Sequence, residues 1–443
     1  MNNIINRRNF IKKTTAATAL TGLSSPLWAG NWKGANDRVN VALIGCKGVG
    51  WANLKSHLKV PDLKIYALCD VDQNILDSRS EELSGMVDYK FKQFNDYRKL
   101  LDKKDLDAVI IATPDHWHAL NMIHACEAEK DVYVEKPLAN SIEECKTMVK
   151  AAQRYNRVVQ VGQQQRSGKH WQEAISFVHS GKLGRIRNVK AWAWLDWKGE
   201  VPKLPNEPVP EGVDYEMWLG PAPKVPFNQN RFHFTWRWFW DYAGGLMTDW
   251  GVHMLDMVLF GMQAGAPNSV AASGGKYAFP DDAMQTPDTL TAVYEFDDFL
   301  MSWEHTIGLG RGPYDRPHGV AFNGSNGTLV VDRRGWEVIP EYDPQKRQEG
   351  GMKMEAVPVQ PALKDDRDQH AQNFVDCIKS REKPICDIET GANVAINAHL
   401  GNIAYRLGKK VYFDNKNLVF KNDPEAAKLS AATYRAPWSL PVI

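Results

Sequence analysis

The sequence predicts an α/β protein in which a doubly wound, parallel-sheet domain precedes a second α/β domain with a mostly antiparallel sheet. The first part rests on short apolar runs that alternate with helical patterns between Val39 and Val161. The second part rests on the alternation of apolar and polar residues at 289–305 and 319–332. With 443 residues, the chain is long enough for two domains with cores of their own, which we place at 38–161 and 162–443.

The strands of the first domain are continuous apolar runs, which is typical of strands buried on both faces of a parallel sheet. They lie at 39–44, 63–68, 108–112, 132–134 and 158–161, with helical patterns at 50–57, 73–84, 116–128 and 142–155. A capping box from Ser141 to Glu144 opens the last of these helices. In the second domain, the prolines between Pro202 and Pro226 predict a long ordered loop, and 369–378 and 391–407 predict helices.

The first 29 residues have the pattern of a twin-arginine (Tat) export signal. Arg7 and Arg8 precede a Phe-Ile-Lys sequence, a weakly apolar stretch and a small-residue cleavage site near Ala29. A basic amphipathic helix is the alternative, and the apolar stretch is too short to span a membrane. Removal of residues 1–29 takes away four basic and no acidic residues, so that the net charge changes from +1 to −3. We therefore expect a periplasmic protein, and neither charge suggests a nucleic-acid partner.

The six cysteines show no CxxC spacing and stand mostly in apolar or strand-like contexts. Because Tat export carries folded proteins, these residues would fold reduced, and a nicotinamide could be loaded beforehand. We expect buried thiols rather than a disulfide framework or a metal site.

A glycine-rich turn follows the first strand. Its predicted pyrophosphate-binding residues are Gly45, Lys47, Gly48, Val49 and Gly50. The usual G-x-G-x-x-G pattern requires glycine at 47, and a G-x-x-G-x-G pattern fits this chain instead. Lys47 either adds charge near the phosphates or points to solvent. On its own, the motif is also compatible with a tight turn that binds nothing.

Asp70 ends the second strand, twenty residues after Gly50. An acidic side chain at this point accepts hydrogen bonds from the adenosine ribose hydroxyls and repels a 2′-phosphate. The sequence therefore predicts NAD in preference to NADP, although Asp72 and Arg79 leave NADP open.

Two later strands also end in polar residues, on the side of a parallel sheet where ligands bind. Thr113 and Pro114 follow one strand, with His116 and His118 beyond them. These histidines are expected to contact the cofactor or cap a helix, and we predict no metal. Glu135 and Lys136 follow the next strand, where a lysine can hydrogen-bond a reacting hydroxyl and help to move its proton. A surface lysine before proline is the alternative.

Asp249 and His253 are spaced i, i+4, so that on a helix they share a face. Alcohol oxidation needs a base to accept the hydroxyl proton while hydride leaves to a nicotinamide. The pair fits that need, although a plain ion pair on the helix face is also possible. Asp256, three residues after His253, is a second candidate for orienting the histidine.

Eight tryptophans fall between Trp192 and Trp250. Sugar rings stack on aromatic faces, but alternating tryptophans also occur on strands with one buried face. We expect most of them to pack in the core and two, Trp192 and Trp236, to contact substrate.

Together these motifs resemble the Gfo/Idh/MocA oxidoreductases. The resemblance rests on Ile44-Gly45, Cys69 to Asp72, Thr113-Pro114, Glu135-Lys136-Pro137 and Asp249 with His253. It covers residues 38–415 approximately. The segments 214–221 and 237–242 look like a secreted, Tat-exported subgroup common in Bacteroidota.

The resemblance implies a Rossmann domain followed by an α/β domain whose large open sheet covers the nicotinamide and mediates dimers or tetramers. It implies Lys136, Asp249 and His253 as the catalytic set, with His253 as acid and base. Thr113, Pro114, His118, Glu135 and Lys136 would contact the cofactor. Gln163 and Arg166 match a substrate-facing stretch.

The leading functional hypothesis is a periplasmic dehydrogenase of sugars or glycosides with tightly bound NAD. Because no free NAD pool exists outside the cytoplasm, a second sugar would accept the hydride and regenerate the cofactor. Oxidation at C3, giving a 3-keto glycoside, is a specific form of this hypothesis. The alternatives are an NAD-dependent redox glycosidase, whose relatives depart from the Glu-Lys-Pro motif, and a non-catalytic carbohydrate-binding protein.

Overall fold

The computed structural model describes residues 38–443, so the predicted export signal at 1–29 lies outside the described residues. Two β-sheets form the framework, one of six strands and one of ten. No helix in the described range is long and apolar enough to cross a membrane. All six cysteines lie in this range, buried and without disulfides, as expected.

The six-stranded sheet is parallel, with strand order β3-β2-β1-β4-β5-β6. Its strands are β1 (Val39–Ile44), β2 (Leu63–Cys69), β3 (Lys92–Phe94), β4 (Ala108–Ile111), β5 (Asp131–Val134) and β6 (Val159–Val161). The helices of this half are α1 (Gly48–His57), α2 (Gln73–Ser84), α3 (Tyr97–Leu101), α4 (Asp115–Glu127) and α5 (Ile142–Arg154). This is the doubly wound Rossmann order, and the order reverses between β1 and β4.

The local signals of the first domain hold. Ser141 caps α5 by accepting a hydrogen bond from the Glu144 N–H, and the Glu144 carboxylate accepts one from the Asn140 N–H at 3.0 Å. Two short elements were not predicted, namely the three-residue edge strand β3, whose side chains are exposed or half-buried, and the five-residue helix α3.

The ten-stranded sheet is mostly antiparallel, as predicted, with only the β7–β10 pair parallel. Its strands are β7 (Asn188–Leu195), β8 (Ser269–Gly275), β9 (Thr289–Glu295), β10 (Leu300–Ile307), β11 (His318–Asn323), β12 (Gly327–Asp332), β13 (Gly335–Pro340), β14 (Val357–Pro361), β15 (Val411–Asp414) and β16 (Val419–Phe420). The helices are α6 (Lys169–His179), α7 (Tyr215–Leu219), α8 (Val252–Met262), α9 (Asp366–Ser380), α10 (Ile388–Leu407) and α11 (Pro424–Leu429).

The proline-rich segment between β7 and α8 connects the two halves of the protein. Its backbone pairs with the start of α2, where the Gln73 N–H donates to the Gly212 carbonyl at 2.9 Å. Val213 forms an isolated β-bridge with Asp72, and His233 Nε2 lies 3.0 Å from the Asp72 carboxylate. The segment therefore lies beside the carboxyl ends of the parallel strands, where ligands bind in such sheets.

Candidate active site

A cavity of about 430 Å³ lies at the carboxyl ends of β1, β2, β4 and β5. The glycine-rich turn and Asp70 line one part of it, and Lys136, Asp249 and His253 line another. The proline-rich segment contributes Trp218, His233, Phe234, Trp236 and Arg237 to its wall. One continuous space thus joins the predicted dinucleotide residues to the predicted catalytic residues.

The turn after β1 needs glycine at two positions for steric reasons. Gly45 has φ +89°, and a Cβ there would lie 2.7 Å from the Ala112 carbonyl oxygen. A Cβ on Gly50 would lie 2.1 Å from the Gly45 carbonyl oxygen. Gly50 does not line the cavity, so its role is to let α1 pack closely against the turn.

The start of α1 presents free backbone N–H groups to the cavity. Lys47 is the N-cap and makes no side-chain cap hydrogen bond, and the first turn contains no acidic side chain. Gly48 has φ +52°, and a Cβ there would meet nothing within 4 Å. With Lys47 and Val49 it lines the cavity. An uncapped helix N-terminus with an open backbone approach fits the pyrophosphate of a dinucleotide.

Asp70 lies at the end of β2 and is half-buried in the cavity wall. Its Oδ2 accepts from the Cys46 N–H at 2.7 Å, and its Oδ1 accepts from the Asp72 N–H at 3.1 Å. Burial raises the pKa of this carboxyl to about 6. Its position fits the adenosine ribose of a dinucleotide, whose hydroxyls would donate to the ionised form.

Thr113, Pro114 and His118 all line the cavity beyond β4. The two ring nitrogens of His118 lie 2.8 Å from the Pro137 carbonyl oxygen and 2.9 Å from that of Thr113. Burial lowers the pKa of His118 to about 4, so the ring is neutral and donates to one carbonyl at a time. His118 thereby connects the turn after β4 to the turn after β5.

His116 lies outside the cavity lining, with Nε2 3.1 Å from the Trp218 carbonyl oxygen. It packs against the proline-rich segment, so the structure does not bring it to the predicted cofactor site, and it does not cap α4 either. Residues 38–443 contain no group of three or more His, Cys, Asp or Glu side chains placed to hold a metal ion.

Glu135 is buried and holds the turn after β5 in place. Its Oε1 accepts from Asn53 Nδ2 at 2.7 Å, and its Oε2 accepts from the Lys136 N–H at 3.1 Å. Because Asn53 lies on α1, this contact connects the helix at the predicted pyrophosphate site to the strand that carries Lys136.

Lys136 and Asp249 form an ion pair across the cavity. Lys136 Nζ donates to Asp249 Oδ1 at 2.7 Å and contacts the Asp249 carbonyl oxygen at 3.2 Å. Arg237 Nε lies 3.5 Å from the same Oδ1. Although burial opposes ionisation of Asp249, these two cations hold its pKa below the ordinary value. The Asp249 carboxyl is therefore ionised where it accepts from Lys136.

His253 follows a π-helical turn, Met247–Gly251, that precedes α8. The i, i+4 spacing predicted a shared helical face, but Asp249 pairs with Lys136 and Arg237 rather than with the histidine. His253 Nδ1 is buried and without a hydrogen-bond partner among the described residues. Burial first, and then the positive charges of Lys136, Arg333 and Arg367, lower the pKa of His253 well below the ordinary range. The imidazole is thus neutral at pH 7 and can accept a proton.

Asp256 does not orient His253. Instead, its Oδ1 accepts from Arg166 at 2.7 Å, and Arg166 also stacks on Phe260 with its guanidinium carbon 4.4 Å from the ring centroid. Arg166 is buried in these contacts and does not line the cavity. The structure therefore does not bring Arg166 to the cavity, where a substrate-binding residue was predicted.

Two further residues predicted to bind substrate also lie outside the cavity lining. Gln163 is buried outside the cavity lining, whereas its neighbour Gln164 lines the cavity. Trp192 is fully buried on the ten-stranded sheet, where its Nε1–H donates to the Arg316 carbonyl at 2.8 Å. Trp236 does line the cavity, and Trp218 is the second of the eight clustered tryptophans to do so.

Sequence reasoning missed several charged and polar lining residues. They include Asn95, Asp115, Asn121, Gln164, His233, Arg237, Thr248, Arg333 and Arg367. Asp115 stood beside a recognised strand end and could have been found by position. Arg333 and Arg367 come from the turn after β12 and the first turn of α9, so no local pattern connects them to the site.

Two family models match the chain. The NAD-binding Rossmann fold of the Gfo/Idh/MocA oxidoreductase family matches residues 39–163. The family's C-terminal alpha/beta domain matches residues 174–299 and 353–440.

Curated relatives match over part of their length. The uncharacterized oxidoreductase YrbE of Bacillus subtilis is 24% identical over 60% of this chain and 66% of its own length. A glycosyl hydrolase family 109 protein of Shewanella baltica is 29% identical over 42% of this chain and 45% of its own length. The chain thus spans less than two thirds of either relative.

Solved structures share the fold over most of the chain. A levoglucosan dehydrogenase in complex with NADH and levoglucosan is 20% identical and superposes with a TM-score of 0.65 over 85% of this chain and 99% of its own. An aldose-aldose oxidoreductase from Caulobacter crescentus, complexed with glycerol, is 19% identical with a TM-score of 0.65 over 85% and 100%.

Proposed function

Because the chain belongs to the Gfo/Idh/MocA family of oxidoreductases, we propose that it transfers hydride between a carbohydrate hydroxyl and NAD. The observation that carries this proposal is the single cavity that contains both the glycine-rich turn and the Lys136–Asp249 pair with His253. Two observations support a carbohydrate as the substrate. The structural neighbours include a levoglucosan dehydrogenase and an aldose-aldose oxidoreductase, and tryptophans, on which sugar rings can stack, line the cavity wall.

In this proposal, Lys136 and His253 carry out the proton transfer. Lys136 Nζ, held by Asp249, donates a hydrogen bond to the reacting hydroxyl and stabilises the oxygen as negative charge develops on it. His253 is neutral and accepts the hydroxyl proton. NAD, when bound, accepts the hydride. In the reverse direction, His253 returns the proton to the carbonyl oxygen.

The cofactor is retained between turnovers in this proposal, and a second sugar or keto-sugar accepts its hydride. Retention is supported by the proline-rich segment, which pairs with the start of α2 beside Asp70. Export by the twin-arginine route, a periplasmic location, oxidation at C3 and assembly into a homo-oligomer belong to the same proposal. The twin arginines at 7 and 8 support export.

A redox glycosidase is the second candidate, favoured by the similarity to glycosyl hydrolase family 109 proteins. Both functions begin with oxidation of the sugar, and they differ in the product that is released. The Glu135-Lys136-Pro137 motif, which redox glycosidases are expected to lack, favours the dehydrogenase.

The test is to mix the NAD-loaded protein with a panel of hexoses and methyl glycosides, and to follow absorbance at 340 nm and the products. Formation of NADH with a keto-sugar supports the dehydrogenase. Release of methanol and free sugar without net NADH supports the glycosidase. No absorbance change and no product with any member of the panel would contradict both.

A further inference from the structure

Arg333 is a cation of the cavity wall that has no ion-pair partner among residues 38–443, although the charge of Asp366 acts on it from beyond ion-pair distance. It lies in the turn between β12 and β13, where its Nε donates to Gln165 Oε1 at 3.1 Å. Its guanidinium lies over Trp250, with the carbon 4.5 Å from the ring centroid. These contacts fix the group in position and leave its two Nη groups as available donors.

Arg367 is a second such cation, from the first turn of α9. Its Nη1 donates to Asn53 Oδ1 at 2.8 Å. Among residues 38–443, no carboxylate oxygen lies within 4.0 Å of a side-chain nitrogen of Arg333 or Arg367, the distance limit for an ion pair. By contrast, Arg166 pairs with Asp256 at 2.7 Å.

The catalytic end of the cavity therefore carries more positive than negative charge. Lys136, Arg237, Arg333 and Arg367 line it, opposed by Asp249, Glu135 and Asp115. Burial raises the pKa of Asp115 well above the ordinary range, so that this carboxyl is largely neutral. Because buried charges are costly unless paired, an excess of this kind is stabilised by a bound anion.

The pyrophosphate of the cofactor does not meet this need. Its expected position is the start of α1, where Gly48 and Lys47 line the cavity. Arg333 comes from the other sheet and stacks on Trp250, the neighbour of Asp249. Its charge acts on His253.

We propose that the carbohydrate substrate carries an oxyanion, a carboxylate or a phosphate, which Arg333 and Arg367 bind beside Lys136 and His253. This inference rests on the proposed function and narrows its substrate class. A guanidinium offers parallel N–H groups that match two oxygens of either anion. A bound anion also offsets the positive charges around His253, which makes the histidine a better proton acceptor.

Matched pairs of sugars test the proposal. The NAD-loaded protein is titrated by calorimetry with glucuronate and glucose, galacturonate and galactose, mannuronate and mannose, and glucose 6-phosphate and glucose. At least one anionic sugar should bind about tenfold or more tightly than its neutral partner. The uronates and the phosphate identify which oxyanion is preferred.

Four variants assign the preference to its residues. Arg333→Gln should bind the anionic sugar about tenfold more weakly and the neutral sugar with nearly unchanged affinity. Arg333→Lys should keep part of the preference for the anionic sugar. Arg334→Gln is the matched control, because Arg334 is exposed and pairs with Asp332. A preference that survives in both Arg333→Gln and Arg367→Gln would overturn the proposal, as would a panel in which no anionic sugar outperforms its neutral partner.

Binding measured by calorimetry, together with the absorbance at 340 nm of the same mixtures, separates this inference from the proposed function. If neutral sugars alone bind and reduce the bound NAD, the oxidoreductase stands and the anion site is overturned. If anionic sugars bind through Arg333 but no sugar changes the absorbance at 340 nm, the anion site stands and the proposed reaction fails.

Discussion

Lys136 Nζ and Asp249 Oδ1 lie 2.7 Å apart, although 113 residues separate them along the chain. Lys136 follows β5 of the parallel sheet, and Asp249 lies on the π-helical turn of the second domain. Their side chains are 11% and 17% exposed, so the pair is nearly removed from water but still reaches the cavity. The position of Lys136 Nζ is therefore fixed by Asp249 as well as by β5, which Lys136 follows.

Replacement of Lys136 by methionine should slow hydride transfer by about 10²- to 10⁴-fold, the range for loss of a group that acts on the proton in the transition state. The single-turnover rate at 340 nm measures this step. Lys59→Met is the matched control, since Lys59 also forms a 2.7 Å ion pair with an aspartate, Asp368, but on the surface. Equal rates for the Lys136→Met variant and the wild type would remove Lys136 from the catalytic set.

The affinity for NAD should depend on the ionisation of Asp70. Because burial raises the pKa of Asp70 to about 6, the carboxyl is ionised at pH 7.5 and largely protonated at pH 5. If only the ionised form accepts from both ribose hydroxyls, NAD should bind about tenfold more weakly at pH 5. Titration of the nucleotide-free protein measures this, and Asp70→Asn should abolish the pH dependence. A wild-type pH dependence that persists in Asp70→Asn would assign it to another group.

A methyl group on Gly48 should obstruct binding of the pyrophosphate without a steric clash with other protein atoms. Gly48→Ala and the surface control Gly181→Ala both add a Cβ at positive φ, +52° and +74°, where nothing lies within 4 Å. Both should lower the free energy of unfolding by about 1 kcal/mol. Only Gly48→Ala should weaken NAD binding, by about tenfold or more. Equal NAD affinity in the two variants would place the pyrophosphate elsewhere.

Trp192 and Trp236 should respond differently to the same replacement. Trp192→Phe loses a buried N–H donor to the Arg316 carbonyl, which should cost about 1–3 kcal/mol of unfolding free energy and leave KM unchanged. Trp236→Phe changes the cavity wall and should raise KM several-fold. Denaturant unfolding and steady-state kinetics measure the two effects. A raised KM for Trp192→Phe would restore this residue to the substrate site.

The Rossmann half could be predicted nearly to its strand ends, because strands buried on both faces are continuous apolar runs. Val39–Ile44 agrees at both ends, and Ala108–Ile111 differs by one residue. The short edge strand Lys92–Phe94 half-buries only Phe94 and therefore carries no such signal.

The spacing of Asp249 and His253 predicted that both would reach one site, but it did not predict which side chains Asp249 contacts there. The i, i+4 relation brought Asp249 and His253 to one cavity, but the π-helical turn and the proximity of Lys136 and Arg237 redirect the carboxylate. Arg333 reaches the site only because β12 and β13 pair in the second sheet. Such long-range contacts leave no periodic trace in the sequence.

The most direct test of the account is the nucleotide that the protein carries. The full chain is purified without added nucleotide and denatured, and the released small molecules are identified by mass spectrometry. Stoichiometric NAD is the result that the account predicts. Absence of nucleotide, together with no binding of NAD on titration, would contradict the assignment as an NAD-dependent oxidoreductase, and NADP would contradict the role given to Asp70.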